Sequence, residues 1–352
     1  MRLNIFKHCL AVGTLLLLAS SGCDLKDQPV EVKTPTIPTD TESLDVYKRS
    51  LFSRPIVMGV FQKWGATNGV MLATTPDSLD VAVVEPLHSE ITPAMAKDLQ
   101  TVQTEKRTTV LLRGDLQAIS NRYSKKLKKE SVARRKALVK SWDPEQMPSA
   151  EEQATRLAAL EAEVTKTIRE EAAAEAAQSV NTLLQNSKEF GFNGVSVYLP
   201  DNFTVLPEEV LISLLSKVGT ECGKGKTMHL AIENPFEEAR TQIEQATWVV
   251  YNEQTPDKYL QDFTKEANLW SNCRYLPSVD LSADSDVKGF LDSSVFNPAG
   301  KTPASIEVIN WDAPNRAGVA YYGAESDADF DTTSKRAYPQ LRVLINMVGW
   351  TK

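Results

Sequence analysis

Short apolar runs rich in β-branched residues recur along the chain, and longer stretches with apolar residues at helical spacing separate them. The short runs fall at 55–61, 79–85, 108–113, 193–199, 227–233, 247–252, 275–281 and 318–323. Several are apolar almost throughout, as expected of strands covered on both faces. Helical stretches are predicted at 93–103, 206–217, 235–245, 256–270 and 334–347, with Pro93, Pro207, Pro235 and Pro256 suited to first-turn positions. Strands alternating with helices predict a parallel sheet with helices outside. Eight of them predict an α/β chain folded as a (β/α)8 TIM barrel over residues 42–352.

The connection between the third and fourth strands is unusually long, and 120–190 is expected to hold a helical insertion plus the third barrel helix. Residues 122–140 carry nine Lys/Arg and one acid, Glu130; residues 151–175 carry seven acids and three bases. Trp142, Asp143, Pro144 and Pro148 interrupt the pattern between them. Two long helices folded back as a hairpin are expected, basic arm near acidic arm, the second arm Ala-rich and strongly helix-favouring. The plain reading is a solvated insertion; the sharper one is a docking surface for a partner or an anionic glycan.

A formal net charge of −7 and a pI near 5.3 argue against nucleic acid as a partner. Beyond Cys9 and Cys23 only Cys222 and Cys273 remain, placed to form either a structural bridge or two buried thiols. The three histidines, His8, His88 and His229, form no ligand pattern, and no phosphate-cradling glycine loop or nucleophile elbow is present. No metal or cofactor is expected.

The segment Gly191-Phe192-Asn193-Gly194-Val195-Ser196-Val197-Tyr198-Leu199-Pro200 resembles the fourth barrel strand of glycoside hydrolase family 18, the chitinases and endo-β-N-acetylglucosaminidases. That strand carries D-G-x-D-x-D-x-E. On this pattern Asn193, Ser196 and Tyr198 stand at the three aspartates, and Pro200 stands at the glutamate that protonates the glycosidic oxygen. Pro55-Ile56-Val57-Met58-Gly59-Val60-Phe61 with Trp64 resembles the first strand of the family's lipoprotein branch, and Thr75-Pro76-Asp77-Ser78-Leu79-Asp80-Val81 resembles its entry into strand two. Tyr321-Tyr322 and the last helix resemble its eighth strand and closing helix, so the resemblance covers about 44–352.

The resemblance implies substrate-assisted hydrolysis in the family, with one glutamic acid as proton donor. Proline has no proton to give, and losing a general acid alone forfeits a factor of about 10²–10⁴. No catalytic residue is therefore expected. Ligand contacts are expected at the strand ends from Trp64, Glu85, Tyr198, Asp201, Glu233, Tyr251, Asn252 and Tyr322. The expected function is non-catalytic binding of N-acetylglucosamine-containing oligosaccharides such as N-glycans. An active glycosidase with relocated acids, or a docking protein of a glycan-uptake complex, are the alternatives.

The N-terminus has the form of a signal peptide over 1–22: Arg2 and Lys7 flank a short apolar run, and Ser20-Ser21-Gly22-Cys23 resembles a bacterial lipobox with Cys23 as the lipidated residue. Residues 23–41, polar with Pro29, Pro35 and Pro38, read as a tether. Asp24 and Asp27 resemble surface-export signals of glycan-foraging bacteria. The expected location is the outer membrane, lipid-anchored and facing outward, with a glycan importer and glycosidases as partners.

Overall fold

The structure is a computed structural model that describes residues 41–65, 69–86, 90–251, 260–281, 304–332 and 336–350. The predicted signal, Cys23 and the tether lie outside these residues, as do Asn252 and His88.

The eight predicted strands all form, as β1 (Ile56–Trp64), β2 (Val81–Pro86), β3 (Thr109–Asp115), β4 (Gly194–Tyr198), β5 (His229–Glu233), β6 (Trp248–Tyr251), β7 (Tyr275–Asp280) and β8 (Gly318–Tyr322). They pair in parallel in chain order and close between β8 and β1, giving a (β/α)8 barrel. Ile56 stands opposite Gly318 at the closing seam. A Cβ on Gly318 would lie 1.9 Å from the Ile56 carbonyl oxygen, so the seam requires glycine there.

Alternation along the strands sorts side chains into two buried layers. Val81, Val83, Leu111, Ala231, Trp248, Val250, Leu276, Ala320 and Tyr322 cluster inside the barrel. Ala82, Val84, Val110, Val195, Val197, Ile232, Val249 and Tyr321 join the outer cluster with the helices.

Those helices are α1 (Thr41–Arg49), α2 (Pro93–Glu105), α3 (Leu116–Lys140), α4 (Ala150–Phe190), α5 (Glu208–Gly219), α6 (Arg240–Ile243), α7 (Leu260–Leu269), α8 (Ala304–Asn310) and α9 (Pro339–Trp350). Pro93 opens α2, but Pro207 caps α5 from outside. The helix expected at 235–245 shrinks to a 3-10 turn at Glu237–Ala239 and the short α6. The last helix begins at Pro339, after Tyr338 in a left-handed conformation (φ 55°), rather than at Ser334. Proline's fixed φ suits a first turn, so Pro339 was the stronger local start signal.

The predicted hairpin forms from α3 and α4 and is longer than expected. Its second arm and the third barrel helix are one continuous element of 41 residues, about 62 Å long. Ser149 and Glu152 form a reciprocal cap at its start, and Gly191 ends it in a left-handed conformation (φ 76°). Arg134–Glu163 (3.5 Å) and Arg135–Glu161 (3.8 Å) join the arms near the tip. Arg122–Glu175 and Lys126–Glu171 join them near the base, so the arms run antiparallel with unlike charges facing, as the sequence predicted. Cys222 and Cys273 are buried free thiols, pushed up to about 12 and about 11 by burial.

Candidate ligand site at the barrel mouth

The inward parity of β2 to β5 brings four charged or polar side chains to the C-terminal end of the barrel. Glu85, Arg113, Tyr198 and Glu233 share the phase of the apolar interior residues Val83, Leu111 and Ala231. Arg113 is the hub. Its Nε donates to both oxygens of Glu233 (3.1 Å each) and its Nη1 to Glu85 Oε2 (2.8 Å). Asp115 Oδ2 lies 3.6 Å from Nη1. Nη2 stands 3.0 Å from Glu233 Oε2 in a geometry that is not a hydrogen bond, so it contributes charge rather than a directed contact.

Glu233 is wholly buried and heavily engaged. Ser196 Oγ donates to its Oε1 (2.6 Å) and Tyr322 Oη to its Oε2 (2.7 Å), in addition to the guanidinium. Burial alone would push Arg113 down, but the Glu233 carboxylate overrides it and holds the guanidinium above its ordinary value. Burial raises Glu85 and Asp115 from their ordinary values, against the lowering pull of Arg113. Burial also pushes the Tyr198 phenol up to about 12, and the guanidinium sits 4.6 Å from the centre of that ring.

Asn193, Ser196 and Tyr198 each make a defined contact. Ser196 anchors Glu233, and Tyr198 stacks on Arg113. Pro200 is buried just past the strand end. Asn193 lies at the opposite, N-terminal end of β4, where its Oδ1 accepts from Val110 N (2.8 Å) and Gln103 Nε2 (2.9 Å) and ties α2 to the sheet. Asp201 is exposed and held by Gln117, whose Nε2 donates to its Oδ1 (3.0 Å) while its backbone N–H donates to Gln117 Oε1 (2.7 Å).

Three expected ligand contacts are corrected. Trp64 is fully buried in the outer layer, its Nε1 donating to Asp98 of α2 (2.9 Å). Tyr251 points outward from β6 and meets Phe263 of α7 edge-on, at 6.3 Å between ring centres. Tyr322 does face inward while Tyr321 faces out, but it is fully buried against Glu233 and presents no open face to a sugar.

The sequence reading missed Arg113, Asp115 and the base of the hairpin. An arginine at the end of an otherwise apolar interior strand was the available signal. Asp115 caps α3 directly, its Oδ1 accepting from Ala118 N (2.8 Å), so the hairpin rises straight from the mouth with no intervening loop. Beside this junction lies a groove of about 970 Å³, reached by Glu85, Arg113, Asp115, Tyr123, Gln178 and Asn186. Among the described residues, no group of three His, Cys, Asp or Glu could hold a metal ion.

These features define a (β/α)8 TIM barrel with an ion-paired mouth. No protein-family model matches the chain, and no curated protein sequence is similar to it. The apo endo-beta-N-acetylglucosaminidase from Cordyceps militaris superposes with a TM-score of 0.55 at 13% identity, covering 88% of this chain and 95% of that one. The protein BT1044 superposes with a TM-score of 0.52 at 13% identity, covering 88% and 92%. A GH18 chitinase from Pseudoalteromonas aurantia superposes with a TM-score of 0.46 at 8% identity, covering 83% and 98%. The first two likenesses establish the fold.

Proposed function

We propose that the chain is a non-catalytic oligosaccharide-binding lipoprotein of the outer membrane, anchored through Cys23 and exposed at the cell surface. Its ligands are N-acetylglucosamine-containing glycans such as N-glycans, held for partner glycosidases and an importer. The similarity in fold to an endo-beta-N-acetylglucosaminidase supports a carbohydrate ligand. The state of Glu233 carries the non-catalytic half of the reading. This deepest carboxylate of the mouth accepts from Arg113, Ser196 and Tyr322 at once. Those donors occupy both of its oxygens, so neither is free to reach a glycosidic oxygen. Pro200 removes the family's own acid.

The same network fills the barrel axis, so the ligand is placed in the groove beside it. Tyr123 offers a ring face, and Gln178 and Asn186 offer amides for hydroxyls. One observation favours a second reading, an active glycosidase with relocated acids. Glu85 and Asp115 both flank Arg113 Nη1, and burial raises both carboxyls toward proton-donating range.

Equilibrium binding of the protein to N-glycans and chitooligosaccharides, with mass spectrometry of the recovered ligand, separates the two. Saturable binding with intact ligand, weakened by Tyr123→Ala, is expected. Trimmed ligand, with trimming lost in Glu85→Gln, overturns the binding-only reading. No saturable binding at all overturns both and leaves a docking role.

A further inference from the structure

Helix α3 carries a second feature that the mouth does not use. Its inner face meets α4 through Arg122, Tyr123, Lys126, Arg134 and Arg135, which pair with Glu175, Glu171, Glu163 and Glu161. At 100° per residue, Lys125, Lys128, Lys129, Lys136 and Lys140 fall within an arc of about 120° centred opposite Arg134, with Arg122 at its edge. All five are exposed, and none has an ion pair or hydrogen bond among the described residues. Val132 (64% exposed) and Val139 (45% exposed) lie in the same arc. The only acid of residues 122–140, Glu130, is turned away and sits 3.7 Å from Arg134.

This is not the mixed-sign surface of a merely solvated helix. Glu161, Glu163, Glu171 and Glu175 are spent on the inner face, which leaves a stripe of uniform positive charge about 23 Å long on a chain of net charge −7. Valine is a poor helix former and adds nothing to solubility, yet two of the most exposed large apolar residues stand here. The arc holds no Tyr or Trp, the residues that stack on nucleic-acid bases, and its one arginine, Arg122 at the edge, is already paired with Glu175. Lysine instead offers a point charge to phosphate on a long apolar stem. A straight, convex stripe fits a plane better than a pocket.

We propose that the outward face of α3 docks on a bilayer that presents anionic phospholipid headgroups. The five ammonium groups meet phosphodiester oxygens, and Val132 and Val139 enter the headgroup layer. The proposal does not depend on the glycan reading. If Cys23 is acylated, this face orients the tethered chain on the same membrane.

The test is cosedimentation of the full unlipidated chain with phosphatidylcholine vesicles, with and without phosphatidylglycerol. The parent is compared with K125Q/K129Q/K136Q/K140Q; any binding through the N-terminal apolar segment is common to both and cancels. Each lysine near an anionic surface is worth about fivefold in affinity, so a loss of about a hundredfold or more is expected on anionic vesicles alone. The difference is expected to collapse in about 0.5 M salt. V132N/V139N is expected to weaken binding a few-fold at an unchanged salt dependence. Helicity by circular dichroism and oligosaccharide binding are expected to match the parent, so this proposal and the glycan reading fail separately. Equal binding of parent and lysine variant to anionic vesicles overturns the proposal. Lysine-dependent binding to polyglutamate with none to vesicles also overturns it and assigns the face to an acidic protein.

Discussion

The two ends of the barrel solve the same packing problem in opposite ways. At the N-terminal end, the chain entering β1 closes the lumen with apolar and aromatic groups. Leu51 joins the interior cluster, Phe52 stacks on Trp248 (5.9 Å, 6° between planes), and His229 packs 5.2 Å from the same indole. At the C-terminal end the lumen is closed by Arg113, Glu233, Ser196 and Tyr322, every one of them polar. The apolar plug gains stability from removing surface from water. The polar plug has a large desolvation cost that its pairing roughly offsets, and a buried ion pair is weak evidence for stability. A chain under pressure for stability alone has no need of the second solution. Its presence at the mouth is the feature on which the proposed ligand site rests.

Breaking either plug is expected to produce the largest effects, similar in size but different in what rescues them. Trp248→Ala opens a cavity and is expected to cost about 3–5 kcal/mol in urea unfolding, with recovery only by refilling the volume. Arg113→Met leaves Glu233 buried and unpaired and is expected to cost about 3–5 kcal/mol. Adding Glu233→Gln to Arg113→Met should recover most of that loss, because the stranded charge is gone. If the double variant remains as unstable as the single, the mouth is held by packing and the contrast between the ends disappears.

The ends are also expected to respond to pH with opposite sign. Near the mouth, burial pushes the Asp327 carboxyl up to about 7, against the pull of the Leu341 and Gln340 backbone N–H groups. Folding then favours the protonated acid. This contribution is full below about pH 4, the unfolded value, and is lost as pH rises through about 7. At the other end, burial lowers the His229 imidazole. Its contribution is full above about pH 6.5 and is lost as pH falls toward the depressed folded value. Urea midpoints across pH 4–8 check both. Asp327→Asn should flatten the decline on the rising side by about 1 kcal/mol per pH unit, and His229→Phe the decline on the acid side.

The smallest effect is expected in the hairpin. Lys126 and Glu171 form an exposed pair, and Lys126→Ala should change stability by less than about 1 kcal/mol, falling further with salt. A larger loss would show that the hairpin couples to the barrel plugs rather than standing apart from them.

Much of this was legible along the chain because the rules involved are local. Strand alternation allowed only one of Tyr321 and Tyr322 to face inward, and the charge of the two arms predicted their pairing. Local rules also failed where a stronger local signal was passed over, as at Pro339. The other failures were of a different kind. Which of Trp248 and Val249 faces the lumen depends on the phase of β6 in the closed sheet, and that phase turned Tyr251 away from the mouth. Trp64 was taken from the ligand site by Asp98, on another element. Arg113 and Glu233 lie far apart in sequence and meet only because β3 and β5 both flank β4 with their ends in register. The sequence by itself determined the elements and their order, because periodicity and residue chemistry act over a few residues. Only barrel closure decided which charges share the mouth, because closure fixes strand phase and brings distant side chains within bonding distance.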